Sequence, residues 1–341
     1  MRSTPTAYRG FLAVLPRHEV RPNKRLQPSA ARGAVPDRDT LVGVNQASQR
    51  GCGAASAAEA PSRYAARMPS DGGMTSSDPW ATITEASAQS QADLGDILEL
   101  RAADPQQQAM LRSYLSDVRF PPGAQVLEVG CGTGAVTRAL SRWPDVADVV
   151  GLDPSPVLLD EARQHDAGRA NTTFSEGDGR RLAFPDGRFD VVVMHTLLCH
   201  VPDAERCVSE ATRVLRAGGQ LAIFDNDVMT MTVATSDVDP LQTCVAALVA
   251  TVHNPWLTRR LPQLVQVNGL GVERLRSFGY VETREGYFLT VVDRGAELLL
   301  SSGKLSAREA DDCKREARER IAAGSFFGHM AYASVIAGKR Q

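Results

Sequence analysis

Between Gln125 and Asp225 short apolar runs alternate with stretches of helix length, and this alternation restricts the chain more than any other feature. Gln125 to Val129, Ala147 to Leu152, Thr172 to Ser175, Phe189 to Met194 and Gln220 to Asp225 read as strands. Helical stretches fall at Gly134 to Arg142, Pro156 to Gln164 and Asp203 to Leu215. Strands joined through helices need crossover connections, so the spacing predicts an α/β fold with a parallel sheet covered on both faces. Gly218-Gly219 is expected to end the third helix and release the chain into the next strand.

On either side of this block the period changes. Upstream, Leu94, Ile97 and Leu98, then Met110, Leu111, Tyr114, Leu115 and Val118, predict two amphipathic helices within 80–118, divided at Asp104-Pro105 with the proline opening the second. Downstream, helical patches are expected at Leu241 to Val252, Leu261 to Val267 and Val272 to Phe278. A strand over Tyr287 to Val292, a helix over Ala307 to Ala323 and an alternating strand over Phe327 to Ile336 follow. A terminal strand pair would close one edge of the sheet, with a cap insertion over 228–275.

Charge divides the chain near Gly73. Residues 1–73 carry eleven basic against five acidic side chains and seven prolines, with no sustained apolar period, while 74–341 carry a net −8. The first part is expected to be a disordered or non-native leader, with Met68 or Met74 as the true start. An organellar transit peptide and a basic nucleic-acid arm are the alternatives. Residues 74–341 are expected to form one domain. No apolar run approaches the ~18 residues of a bilayer span, which excludes an apolar transmembrane helix. The six cysteines are irregularly spaced, without a CxxC pair or a Cys/His cluster at zinc spacing, so a reducing compartment, the cytoplasm, is expected, with no structural metal.

The chemistry is concentrated in Glu128-Val129-Gly130-Cys131-Gly132-Thr133-Gly134, three alternate glycines between a strand and a helix. Glycine reaches positive φ and lets a ligand approach the backbone. The spacing is GxGxG, not the dinucleotide GxGxxG, and no Gly-Lys-Ser/Thr follows, which excludes a nucleoside-triphosphate loop. Asp153 ends the next strand, where a carboxylate can accept from a ribose diol. Asp178, in Gly177-Asp178-Gly179, can accept from an exocyclic amine. With Glu128, three acids surround the turn and favour a ligand with positive character over a polyphosphate.

Glu128 to Gly134, Gly151-Leu152-Asp153, Glu176 to Phe184, Phe189 to Val193 and Pro202 to Gly219 closely resemble the class I S-adenosylmethionine-dependent methyltransferases, in particular the small-molecule branch that includes the ubiquinone and menaquinone biosynthesis enzymes. The resemblance covers about residues 94–230 in motif detail. It implies a Rossmann-like, doubly wound seven-stranded sheet with the last strand antiparallel, and S-adenosyl-L-methionine as cofactor. It further implies that Gly130, Cys131, Gly132 and Gly134 pass beneath the methionine and ribose parts, with Glu128 just before them. Asp153 would hold the ribose hydroxyls, and Asp178 with the Gly179 and Arg180 backbone the adenine. His195 and Thr196 would face the methionine and the reacting methyl, and Arg101 is a weaker candidate for the cofactor carboxylate.

Methyl transfer from a sulfonium needs alignment and dehydration, and a base only when the nucleophile carries a proton. His195 and His200, beyond the fourth strand, are the candidate bases. Asp225, in Asp225-Asn226-Asp227, is a third catalytic candidate; metal-dependent O-methyltransferases resemble it there but place a further Asp where this chain has Met194 and His195, so no metal is expected. The expected acceptor is a small molecule. A nucleic-acid or protein methyltransferase is the alternative, opposed by the net −8 and by the lack of an Asn/Asp-Pro-Pro-aromatic motif, and a non-catalytic cofactor-binding protein is a third.

Overall fold

The computed structural model describes residues 78–166 and 168–340; the expectations for 1–73 lie outside these residues. After a short 3₁₀ turn (Ile83–Glu85) come two α-helices, as expected. Ser87 caps α1 (Ala88–Ala103) by accepting from the Ser90 amide, and Asp104 caps α2 (Pro105–Leu115) through the amides of Gln106 and Gln107, with Pro105 at the position that needs no donor.

The sheet has seven strands, β1 (Ala124–Val129), β2 (Val146–Asp153), β3 (Thr172–Glu176), β4 (Phe189–His195), β5 (Leu215–Thr232), β6 (Leu270–Glu282) and β7 (Gly328–Lys339), in the order β3-β2-β1-β4-β5-β7-β6. The first five pair in parallel, and β7 runs antiparallel to both neighbours. The crossovers carry α3 (Ala135–Leu140), α4 (Pro156–Asp166) and α5 (Ala204–Val214). Strand β4 shows why the run lacks a polar face: Val191 and Val193 enter the core layer with Tyr114, Leu140 and Phe224, while Val192 and Met194 enter the other with Val208 and Ala211. Among the described residues no helix is long and apolar enough to cross a membrane.

Two downstream expectations are corrected. Val272 to Phe278 lies in β6, not in a helix. Leu275, whose spacing suggested a helical stripe, is 55% exposed on this outermost strand, so the apolar period was not a core period. Tyr287 to Val292 opens a helix, α8 (Tyr287–Ser301), not a strand. Its run of β-branched and aromatic residues is buried around most of its circumference, against α6 (Pro240–Val249) and α9 (Ala307–Ala322), so no polar face marked the helical period. The α8 and α9 pair is inserted between β6 and β7.

Gly218-Gly219 does not end α5, which stops at Val214; both glycines lie in β5, where the β4 pairing shifts register. A Cβ on Gly219 would meet the Asp190 carbonyl oxygen at 2.8 Å, which explains the residue. Strand β5 also continues past Asp225, so Asp225-Asn226-Asp227 is paired with β7 instead of trailing from a strand end. The segment 228–275 contributes α6, a 3₁₀ turn (Leu257–Arg260) and α7 (Leu261–Val267).

The tightest helix contact is α8 on α6. A Cβ at Gly295 would lie 2.0 Å from the Cys244 carbonyl oxygen, and backbone cannot give way as a side chain does. Gly295→Ala is therefore expected to lower stability by about 1–3 kcal/mol or more. Urea denaturation measures this, and a midpoint equal to that of the parent would contradict the packing.

Candidate active site

Strand β1 ends at the glycine turn, and all three glycines take positive φ, at 74°, 51° and 77° for Gly130, Gly132 and Gly134. The turn is held from β2. The amides of Gly130 and Cys131 donate to the Leu152 carbonyl at 2.7 and 3.0 Å, and the Gly132 amide donates to Oδ2 of Asp153 at 2.9 Å. The other oxygen of Asp153 accepts from the Ser155 amide at 2.9 Å, and the Ser155 hydroxyl donates to Gln91 on α1. One carboxylate thus joins the turn, β2 and the α1 helix, and each oxygen keeps a lone pair for a ligand.

A cavity of about 900 Å³ opens at this carboxyl-terminal edge of the sheet. It is lined by Glu128, Gly130, Cys131, Gly132, Asp153, Asp178, Gly179, Arg180, His195, Thr196, His200 and Arg101, so twelve sequence-derived candidates meet at one site. Gly134 lies just beyond the lining; its Cβ would press on Phe174 at 2.9 Å, so that glycine serves helix packing. Asp225 is the exception among the catalytic candidates. It is fully buried, does not line the cavity, and accepts from the Cys199 and Asn226 amides, so it braces the turn after β4. The roof comes from Trp80, Ala81, Ile83 and Thr84 with α1 and α2; none of the lining residues belongs to 228–275.

Burial sets the charges. It pushes the Glu128 carboxyl up to about 8, helped by the charge of Asp153, and the hydroxyl of Thr137 hydrogen-bonds to it. Burial also pushes Asp153 up to about 6, against the two backbone amides that favour its anion. At neutral pH the turn is therefore flanked by one carboxylate and one protonated acid, fewer charges than the three expected. Asp178 carries a charge but is engaged by its neighbour: the Arg180 side chain bonds both its oxygens and holds its pKa below the usual range.

Beyond β4, Thr196 takes φ of 50° while its amide donates to the Phe224 carbonyl at 2.7 Å, which turns the chain away from the sheet and leaves His195 at its edge. The His195 ring stacks on Phe224 at 4.8 Å, and its Nδ1 lies 3.1 Å from the Tyr114 hydroxyl. Burial first, then the charge of Arg101, lowers His195 to about 3, so it is neutral. His200 Nδ1 lies 2.8 Å from Oδ2 of Asp78. Arg101 is not on a solvated face. Its guanidinium sits 5.1 Å over the Tyr287 ring and bonds the Tyr332 hydroxyl at 3.4 Å, while its Nε is buried without a partner.

Residues 127–223 match the family described as a methyltransferase domain. The glycine-turn motifs and the sheet order resemble those of the class I S-adenosylmethionine-dependent methyltransferases. A demethylmenaquinone methyltransferase of Tropheryma whipplei is 40% identical over 103 residues, 30% of this chain and 42% of that protein. An uncharacterized 37.1 kDa protein in a transposon of Streptomyces fradiae is 26% identical over 220 residues, 63% of each chain. The chain spans less than two thirds of the length of these curated relatives. The crystal structure of a putative methyltransferase from Bacillus halodurans shares the fold, with a TM-score of 0.50 and 21% identity, covering 68% of this chain and all of that one.

Tyr114 and Asp78, the partners of the two histidines, were missed in the sequence. Tyr114 reads there as one more apolar position of α2, and Asp78 lies 122 residues from His200, so no local pattern joins them. The loop after α6 shares in this clasp: the His253 amide donates to Asp78, and Asn254 donates to the carbonyls of Leu198 and Val201.

The raised Glu128 has a measurable consequence. An unfolded glutamate releases its proton near 4.5 and the folded one near 8. Its contribution to stability is full below 4.5 and is lost as the pH rises to 8, by up to about 1.4 kcal/mol per unit. Denaturation of the parent and of Glu128→Gln across pH 5 to 8 is expected to show the parent losing stability relative to the variant, and parallel curves would contradict a protonated Glu128.

Proposed function

We propose that the chain transfers a methyl group from S-adenosyl-L-methionine to a small-molecule acceptor. The observation that carries this reading is the Asp153 clasp on the positive-φ glycine turn, placed under a cavity large enough for the cofactor and a second molecule. The residues present fit the cofactor. Asp153 has lone pairs free for a ribose diol, Asp178 to Arg180 line the cavity where adenine would lie, and the Arg101 side chain brings a cation to the cavity lining that would suit an anion such as a carboxylate. When bound, the cofactor supplies an electrophilic methyl group on a sulfonium.

The protein's own part is alignment and exclusion of water. Well-aligned reactants gain roughly 7–11 kcal/mol from proximity, and Trp80, Ile83, Leu98 and Leu197 give the cavity a dry wall. Where the acceptor must lose a proton, His195 and His200, which line the cavity, are the candidate bases. The names of the T. whipplei relative and of a 2-methyl-6-phytyl-1,4-hydroquinone methyltransferase from Synechocystis support a small acceptor. The net −8 of residues 74–341 disfavours a phosphate backbone as partner.

Calorimetry with S-adenosylhomocysteine tests the cofactor assignment. Asp153→Ala removes both the ribose acceptor and the brace on Gly132, and is expected to weaken binding at least about tenfold. A screen of phenols, quinols, amines and thiols for S-adenosylhomocysteine release tests the reaction. Tight cofactor binding with no turnover on any acceptor would favour the non-catalytic reading.

A further inference from the structure

We propose that the two histidines of the cavity are fixed in opposite tautomers, His195 by Tyr114 as a hydrogen-bond donor and His200 by Asp78 as the proton acceptor, and that the acceptor is a compound reacting through an ionisable hydroxyl. The proposal rests on the methyltransferase reading of the same site and divides the roles that reading leaves open.

The assignment follows from what each partner can do. Asp78 is 3% exposed, and although burial alone would raise its pKa, His200 and two backbone donors hold it below the usual range. An ionised carboxylate only accepts, so Nδ1 of His200 carries a proton, and in the neutral ring the lone pair is therefore on Nε2. Tyr114 is the reverse case. It is fully buried, burial raises its pKa well above the usual phenol, and His195 Nδ1 is its hydroxyl's sole hydrogen-bond partner among the described residues. A buried phenol whose proton has one place to go donates there, so Nδ1 of His195 accepts and Nε2 carries the hydrogen.

Both Nε2 atoms have no hydrogen-bond partner among the described residues, yet neither is among the sealed, unsatisfied atoms, and both rings line the cavity. Their Nε2 atoms therefore open onto it. One offers a hydrogen and the other a lone pair.

The charged neighbours agree with the division. His195 faces Tyr114 from α2 and Arg101 from α1, with no carboxylate among the groups that shift it. His200 faces Asp78 from the amino-terminal segment and Asp225 from β5, with Arg294 of α8 near Asp78 and the His253 amide on the same carboxylate. The His195 side is a place for an anionic oxygen and the His200 side a place for its proton. In the step so arranged, the acceptor's hydroxyl proton passes to Nε2 of His200 and the freed oxygen pair forms the bond to the methyl carbon. The pair of the breaking carbon–sulfur bond stays on sulfur, which leaves as a neutral thioether. An anionic oxygen bound beside Arg101 and His195 would come either from the acceptor or from the cofactor's carboxylate.

Nitrogen-15 NMR of the full chain with labelled histidine is the direct test. Nε2 protonated and Nδ1 bare in His195, with the reverse in His200, is the expected result; the same tautomer in both would overturn the proposal. This measurement needs no variant and no bound cofactor, so it stands even if S-adenosylhomocysteine fails to bind and the methyltransferase reading falls. With an acceptor found, His200→Gln is expected to cut kcat by about 10²–10⁴. Asp78→Asn is expected to move the acid limb of the pH profile. His195→Gln, whose amide still donates, is expected to keep at least about tenfold more turnover than His195→Leu. Tyr114→Phe should give a mixture of His195 tautomers. Equal losses for His195→Gln and His195→Leu, or an unmoved pH profile in Asp78→Asn, would overturn it. Weaker S-adenosylhomocysteine binding by His195→Leu assigns the anion to the cofactor and a raised acceptor KM assigns it to the acceptor, whereas neither change would contradict a donor role.

Discussion

The carboxylate of Asp153 is the constraint on which the site depends. A turn with three alternate positive-φ glycines has little conformational preference of its own and loses much entropy on folding. It needs an external clamp, and Asp153 supplies it from the neighbouring strand through the Gly132 amide, while its second oxygen starts the next helix through Ser155. The same group that shapes the turn is the one placed to meet a ribose. Binding and local architecture therefore share one side chain, and Leu98 and Leu197, which rest where Cβ atoms of Gly132 and Gly130 would be, depend on that shape too.

A second constraint is aromatic. Phe224 stacks on Tyr114 at 5.0 Å, on His195 at 4.8 Å and on Tyr332 at 5.0 Å, so α2 and strands β4, β5 and β7 meet at one ring. Such contacts contribute about 0.5–1.5 kcal/mol each beyond burial where both rings are aromatic side chains of the core. Their larger effect here is positional, because they hold the edge of the His195 ring toward the cavity while Tyr332 receives hydrogen bonds from Arg101 and Gln107. The apolar core and the polar site are continuous at this point.

What the sequence made legible was local. Val126 to Gly134 announces a strand, a turn and a helix within nine residues, and the parallel strands that follow are marked by apolar runs with no polar face. Where burial was one-sided or complete the signals crossed: β6 on the sheet edge displays a false helical stripe, and α8, enclosed by other helices, reads as a strand. Partners across long separations were invisible. Asp78, Tyr114 and Tyr332 look like a loop acid and two core aromatics until the fold sets them against His200, His195 and Arg101. Asp225 was drawn the other way, since a polar triplet near a strand end suggests chemistry, and pairing with β7 turned it into a brace.

The position of β7 bears on how the molecule is assembled. The strand latest in sequence is not at the rim of the sheet but between β5 and β6. During synthesis β5 is finished long before its neighbour exists, and its open edge, carrying Leu221, Ile223 and Phe224, has to wait. The α8 and α9 pair emerges in that interval and has no completed sheet to pack on. Folding of this half is thus dominated by late, non-local pairing, which is slow and leaves strand edges open to other chains. A nascent or truncated chain lacking β7 would keep the glycine turn and its clamp, yet expose one open edge of β5 and both edges of β6 to misassembly.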